Sequence, residues 1–100
     1  RGQAGGAPGP GLDAANWLLD RDIHLAGAET IAFEVIRPGE GHATLPVHRR
    51  FLVDAGTYIV EVMDLTAVAE VADGPFLFVL APLKITGGTG SPSRPIALLP

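Results

Sequence analysis

Residues 46–63, PVHRRFLVDAGTYIVEVM, combine a helix pattern and a strand pattern on either side of one glycine. Thr44 can cap the helix, Pro46 suits its first turn, and Gly56 is placed to end it. One face of this helix is expected to carry His48, Phe51, Leu52 and Ala55. The β-branched run 57–63 follows at once. We therefore predict a helix, a tight turn and a strand that returns beside the helix.

Glu61 interrupts that apolar strand, and alternation places it on the same face as Ile59 and Met63. An unpaired carboxylate buried there would be costly, so Glu61 must be neutral, salt-bridged or bound to a cation. His48, on the apolar face of the preceding helix, is brought back towards the strand. A His and Glu pair suits Zn²⁺ or Mn²⁺, but two ligands do not complete a site. The alternatives are an exposed edge-strand glutamate and a half-buried, hydrogen-bonded histidine.

The other elements predict a mixed α/β class, with two main helices on one side of a mixed sheet. The Gly, Ala and Pro content of residues 1–11 predicts a flexible lead segment before a domain that spans residues 12–100. Asp13 is the expected N-cap of a first helix that runs to about Asp22. Further strands are predicted at 23–27, 30–36, 76–81 (buried) and 96–99, with an extended stretch at 83–86 and a short helix at 65–71.

Composition excludes several classes of protein. The 100 residues, with 47% hydrophobic and 18% charged side chains, suit one small globular domain. A net charge of −4 without a basic stripe argues against nucleic acid as a partner. The apolar runs are too short to span a membrane, which argues against a membrane partner. Because cysteine is absent, only histidine and carboxylates can hold a metal.

The remaining polar residues favour structural roles. His24 and His42 lack a second histidine at the three or four residue spacing of a helical metal pair. Glu29 is best explained by a turn or cap role. The glycine-rich loop that begins at Gly87 lacks the Lys-Ser/Thr of a phosphate-binding loop, and Ser91 has no neighbouring base that would make it a nucleophile.

Five segments also follow, in order, the pattern of a known family. They are GLDAANWL (11–18), HLAGAET (24–30), residues 46–61, FLFVLAPLKI (76–85) and GSPSRP (90–95). Glu29 stands where the pattern has Asp, and Val62 stands where it has Asn. Together these segments resemble the C-terminal third of the cyclase-like metal-dependent hydrolases, of the kynurenine formamidase and isatin hydrolase type.

The resemblance implies the C-terminal part of a swivelling β/β/α domain, with His48 and Glu61 as ligands of Zn²⁺ or Mn²⁺. It implies a cytoplasmic, homo-oligomeric parent enzyme that opens a small-molecule amide, formamide or lactam with metal-activated water, as in tryptophan catabolism. The family's His-x-Gly-Thr-His-x-Asp-x-Pro segment and the catalytic histidine after it have no counterpart here. We therefore expect a fragment whose catalytic residues lie upstream and which is inactive alone.

A non-catalytic function is the alternative to the hydrolase hypothesis. In this alternative, the same α/β piece binds a partner, forms oligomers or completes another chain's sheet, and Glu61 is merely salt-bridged. Metal binding separates the two hypotheses.

Overall fold

The computed structural model describes residues 5–100. It divides into two units, one that ends at Leu65 and one that spans Thr66–Pro100. The mixed α/β class is confirmed, because helices accompany one parallel and one antiparallel pair of strands. None of the helices among the described residues has the length and apolar character needed to cross a bilayer.

The first unit contains two helical segments and a parallel strand pair. Helix α1 spans Leu12–Leu19, and helix α2, Pro46–His48, continues directly into a π-helix, π1, at Arg49–Ala55. Strand β1, Leu25–Gly27, pairs in parallel with β2, Tyr58–Val60. The register places Ala26 opposite Ile59. Thus the predicted helix, turn and strand over residues 46–63 are present, although the strand is shorter than predicted.

The core of this unit joins both helical segments to the segment before α2. Ala15, Phe33, Val47 and Phe51 are buried together. The rings of Phe33 and Phe51 lie 5.6 Å apart at an interplanar angle of 59°, a tilted aromatic contact. The core therefore anchors residue 33 against the helix that carries His48.

The predicted strand at 30–36 is wrong. Only Ile36 forms a bridge, with Ala7, and the rest of the segment is irregular. Its backbone N–H groups have other acceptors: Phe33 donates to the Glu61 carboxylate and Val35 donates to the Pro10 carbonyl oxygen. Part of the lead segment predicted as flexible is thus hydrogen-bonded to residues 35 and 36, and its first four residues lie outside the described ones.

The first residues of both helices, and the buried face of the helix that carries His48, differ from the sequence prediction. Gly11, not Asp13, is the N-cap of α1, and Leu45 rather than Thr44 precedes α2. Gly56 ends π1, as predicted, and adopts a left-handed conformation there. Phe51 is buried but Leu52 and Ala55 are exposed. The π-helix explains this difference, because its i to i+5 hydrogen bonds shift residues away from the face that α-helical spacing predicts.

The second unit is small and open. It contains helix α3, Thr66–Val71, and strands β3, Leu77–Val79, and β4, Ile96–Leu98, which pair antiparallel. The expectation that β3 is buried is wrong, since its three side chains are exposed. A single two-stranded ladder offers too little apolar surface within its own unit to cover them.

Candidate functional site

Glu34 is a buried carboxylate at the start of the helix formed by α2 and π1. Its Oε2 accepts a hydrogen bond from the backbone N–H of Val47 at 2.9 Å, and its Oε1 accepts one from His48 N–H at 3.0 Å. The N-cap residue Leu45 supplies no side-chain acceptor. Glu34 therefore satisfies two of the N–H groups that every helix leaves free in its first turn. Its negative charge also lies at the favourable end of the helix dipole.

The imidazole of His48 lies between two carboxylates. Its Nδ1 is 2.8 Å from Glu34 Oε1, and its Nε2 is 2.9 Å from Glu61 Oε2. The exposed fraction of the side chain is 1% for Glu34, 19% for His48 and 29% for Glu61. The Nδ1 side of the ring is therefore closed by protein, whereas the Nε2 side borders solvent.

Glu61 follows β2 directly and is turned towards His48. Its Oε2 also accepts the backbone N–H of Phe33 at 2.6 Å. The next residue, Val62, has φ of 56°, in the left-handed region. The strand ends at Val60, and the left-handed Val62 breaks the alternation of side chains after it. The sequence expectation that Glu61 shares a face with Met63 therefore does not apply.

Hydrogen-bond donors are too few for both His48 contacts when the ring is neutral. A neutral imidazole carries one N–H, whereas an ionised carboxylate only accepts. If Nδ1–H is donated to the buried Glu34, the lone pair of Nε2 faces an oxygen of Glu61. The Nε2 to Glu61 contact is then completed either by a second proton or by a metal ion.

The donor set on that side of the ring fits part of a metal site. At bond lengths of about 2.0–2.2 Å, two tetrahedral ligands of one zinc ion lie roughly 3.3–3.6 Å apart. Nε2 and Oε2 are 2.9 Å apart, so they would have to separate by about half an ångström to admit the ion. Glu34 is on the opposite edge of the ring. Over residues 5–100, no group of three or more His, Asp or Glu side chains is arranged to hold a metal. The described residues therefore bring together two candidate ligands, too few for a complete site.

The chain is similar to isatin hydrolase from Roseibium aggregatum. The two are 34% identical over 94 residues, which is 94% of this chain and 35% of the relative. The chain thus spans about a third of the length of this curated relative. No family model and no solved structure matches the chain.

The structure brings together the two residues that the sequence singles out as metal ligands, His48 and Glu61, and adds Glu34. Glu34 carries the same sequence signal as Glu61, a glutamate inside an apolar and β-branched run, and this signal is enough to single it out. His24 and His42 are exposed and lie outside this group.

Two other polar residues have structural partners. Glu29 accepts the backbone N–H of Leu65 at 2.8 Å, in keeping with the expected turn or cap role. Ser91 Oγ accepts the N–H of Leu83 and donates to the carbonyl oxygen of Pro92. Both side chains therefore hold loops.

Proposed function

We propose that this chain is part of a metal-dependent hydrolase of the cyclase-like family, in which His48 and Glu61 are ligands of Zn²⁺ or Mn²⁺. One observation carries the proposal: Nε2 of His48 faces Glu61 across 2.9 Å while Nδ1 is already held by the buried Glu34. Such a histidine, with one nitrogen on a carboxylate and the other directed outwards, is the usual arrangement of a metal-binding imidazole.

Each of the two candidate ligands is held by a different protein group. Glu34 holds the ring of His48, and the Phe33 N–H holds Oε2 of Glu61. One carboxylate thus belongs to residue 34 and the other is held by the backbone of residue 33, with the imidazole between them. When bound, a divalent ion supplies Lewis-acid activation of water and of a carbonyl group. In the proposal, the remaining ligands and the catalytic base come from the part of the parent protein that corresponds to the other two thirds of the relative.

The similarity to isatin hydrolase supports a proposal for the substrate class. We propose a small molecule with an amide, formamide or lactam bond, as the resemblance to the kynurenine formamidase type also implies. Placement in a swivelling β/β/α domain, homo-oligomeric assembly of the parent and a cytoplasmic location belong to the same proposal. The chain alone is expected to be inactive.

Titration of the chain with Zn²⁺ and with Mn²⁺ tests the proposal. We expect weak binding in which Zn²⁺ shifts, and paramagnetic Mn²⁺ broadens, the NMR signals of His48 and Glu61 before those of His24 and His42. His48→Gln and Glu61→Gln should each lower the affinity by about 10-fold or more, the range found for disturbed metal shells. Glu40→Gln is the matched control, because Glu40 is an exposed glutamate outside the site.

The proposal fails if neither substitution at the site changes metal binding. If both site variants bind the ions as the unchanged chain does, the three side chains form a purely structural ion-pair network. That outcome favours the non-catalytic module.

Hydrolysis of isatin and of N-formylkynurenine by the full-length parent is the corresponding activity test. Glu61→Gln should abolish most turnover. Arg50→Gln should not, because the Arg50 guanidinium bonds to Asn16 at the surface.

A further inference from the structure

Both carboxylate oxygens of Glu34 are bonded to one short stretch of helix. Its two oxygens accept the backbone N–H groups of Val47 and His48, and Oε1 also lies 2.8 Å from Nδ1 of His48. The side chain is 1% exposed, so water does not compete for these bonds. A carboxylate that bonds to the backbone and the ring of the same residue sets the position and the rotation of that ring together.

We propose that Glu34 is a positioning residue that fixes the Nδ1–H tautomer of His48 and thereby leaves Nε2 free for a cation shared with Glu61. The inference rests on the proposed function for the purpose of Nε2, but the tautomer itself is a property of the chain without metal. The tautomer of a histidine is set by the hydrogen bond that its other nitrogen makes. Here the stronger acceptor is the buried Glu34, because two backbone N–H groups hold its carboxylate in place and water is excluded.

Glutamine at this position cannot reproduce the arrangement. Glu34→Gln replaces one acceptor oxygen with an NH₂ group, which meets either the Val47 N–H or the donors of His48. The remaining ionised partner of the ring is then Glu61. We therefore expect the neutral ring to carry its proton on Nε2 and to donate it to Glu61. A metal ion would have to displace that proton.

The experiment is ¹⁵N NMR of the imidazole groups in the metal-free chain, at a pH where the ¹⁵N shifts themselves show neutral rings. His48→Gln identifies the signals of His48 among the three histidines. The unchanged chain and Glu61→Gln should both show Nδ1–H, whereas Glu34→Gln should shift the population to Nε2–H. A Zn²⁺ titration of the same samples should show about 10-fold weaker binding in Glu34→Gln than in the Glu40→Gln control.

Several outcomes would overturn the inference. An Nε2–H tautomer in the unchanged chain does so without any variant, so the test survives if Glu34→Gln fails to fold. A folded Glu34→Gln with the Nδ1–H tautomer and unaltered Zn²⁺ affinity also overturns it, since Glu34 would then act only as a helix cap. If the tautomer changes as expected but Zn²⁺ binds to none of the samples, the positioning role is supported and the proposed metal function fails.

Discussion

The carboxylate of Glu34 bonds to His48 twice, through the ring and through the backbone. Oε1 lies 2.8 Å from Nδ1 and 3.0 Å from the backbone nitrogen of the same residue. The start of the helix and the orientation of the candidate ligand therefore depend on one side chain. That side chain comes from an irregular segment, which the aromatic contact between Phe33 and Phe51 keeps against the helix.

Replacement of Val62 by asparagine should stabilise the chain. Val62 has φ of 56° and an exposed side chain, so its β-branched side chain carries the cost of the left-handed conformation without a compensating burial. Asparagine tolerates this conformation, and the cost for an ordinary residue is about 1–2 kcal/mol. We expect Val62→Asn to raise the free energy of unfolding, measured by urea denaturation, by about 1 kcal/mol.

Val53→Asn is the control for this prediction. Val53 is also exposed, but it lies in π1 and is not among the residues with positive φ. It should therefore show no gain in stability. A loss of stability of the same size in both variants would mean that φ at Val62 carries no such cost.

Replacement of Gly9 by alanine should disturb the site from a distance. A Cβ atom at Gly9 would lie 2.5 Å from the carbonyl carbon of Glu34 and 2.6 Å from its oxygen. Since these are backbone atoms, the segment that carries Glu34 must move. Overpacking of this kind costs about 1–3 kcal/mol, so we expect a loss of that size in the free energy of unfolding and altered NMR shifts at His48.

Gly5→Ala provides the comparison from the same segment, because a Cβ atom there meets nothing within 4 Å. It should leave both readouts nearly unchanged. Equal effects of Gly5→Ala and Gly9→Ala, or none at either position, would contradict the close packing of the lead segment on Glu34.

The isolated chain should associate with itself. Sixteen large hydrophobic residues are exposed among the described residues, including Trp17, Tyr58 and all three residues of β3. Exposed apolar side chains in this number favour contact with other molecules. Sedimentation velocity should show an average mass that rises with concentration, together with binding of a hydrophobic dye. A monomer at every concentration, without bound dye, would contradict this prediction.

Local pattern was enough to predict several elements of the first unit. Good helix formers after Leu12, the glycine at position 56 and the β-branched run from Tyr58 each act within a few residues, and the structure has a helix, a helix end and a strand there. The pairing of His48 with Glu61 was also predictable, because a helix, a turn and a strand join them within a short stretch of chain.

The structure of the run at 30–36 could not be predicted from local pattern. Its β-branched and aromatic residues favour a strand, yet a strand also needs a partner for its N–H groups. The Phe33 N–H donates instead to Glu61, and the Val35 N–H donates to Pro10. Glu61 lies 28 residues away from Phe33 along the chain, and Pro10 is comparably distant from Val35.

Composition and short-range pattern thus suffice for the mixed α/β class, for the helix that carries His48 and for a carboxylate, Glu61, that needs a partner. The role of Glu34, the π-helical turn and the left-handed Val62 come from the folded chain. The physical reason is that a buried carboxylate is satisfied by whichever donors packing brings to it. For Glu34 those donors are on Val47 and His48, thirteen and fourteen residues further along.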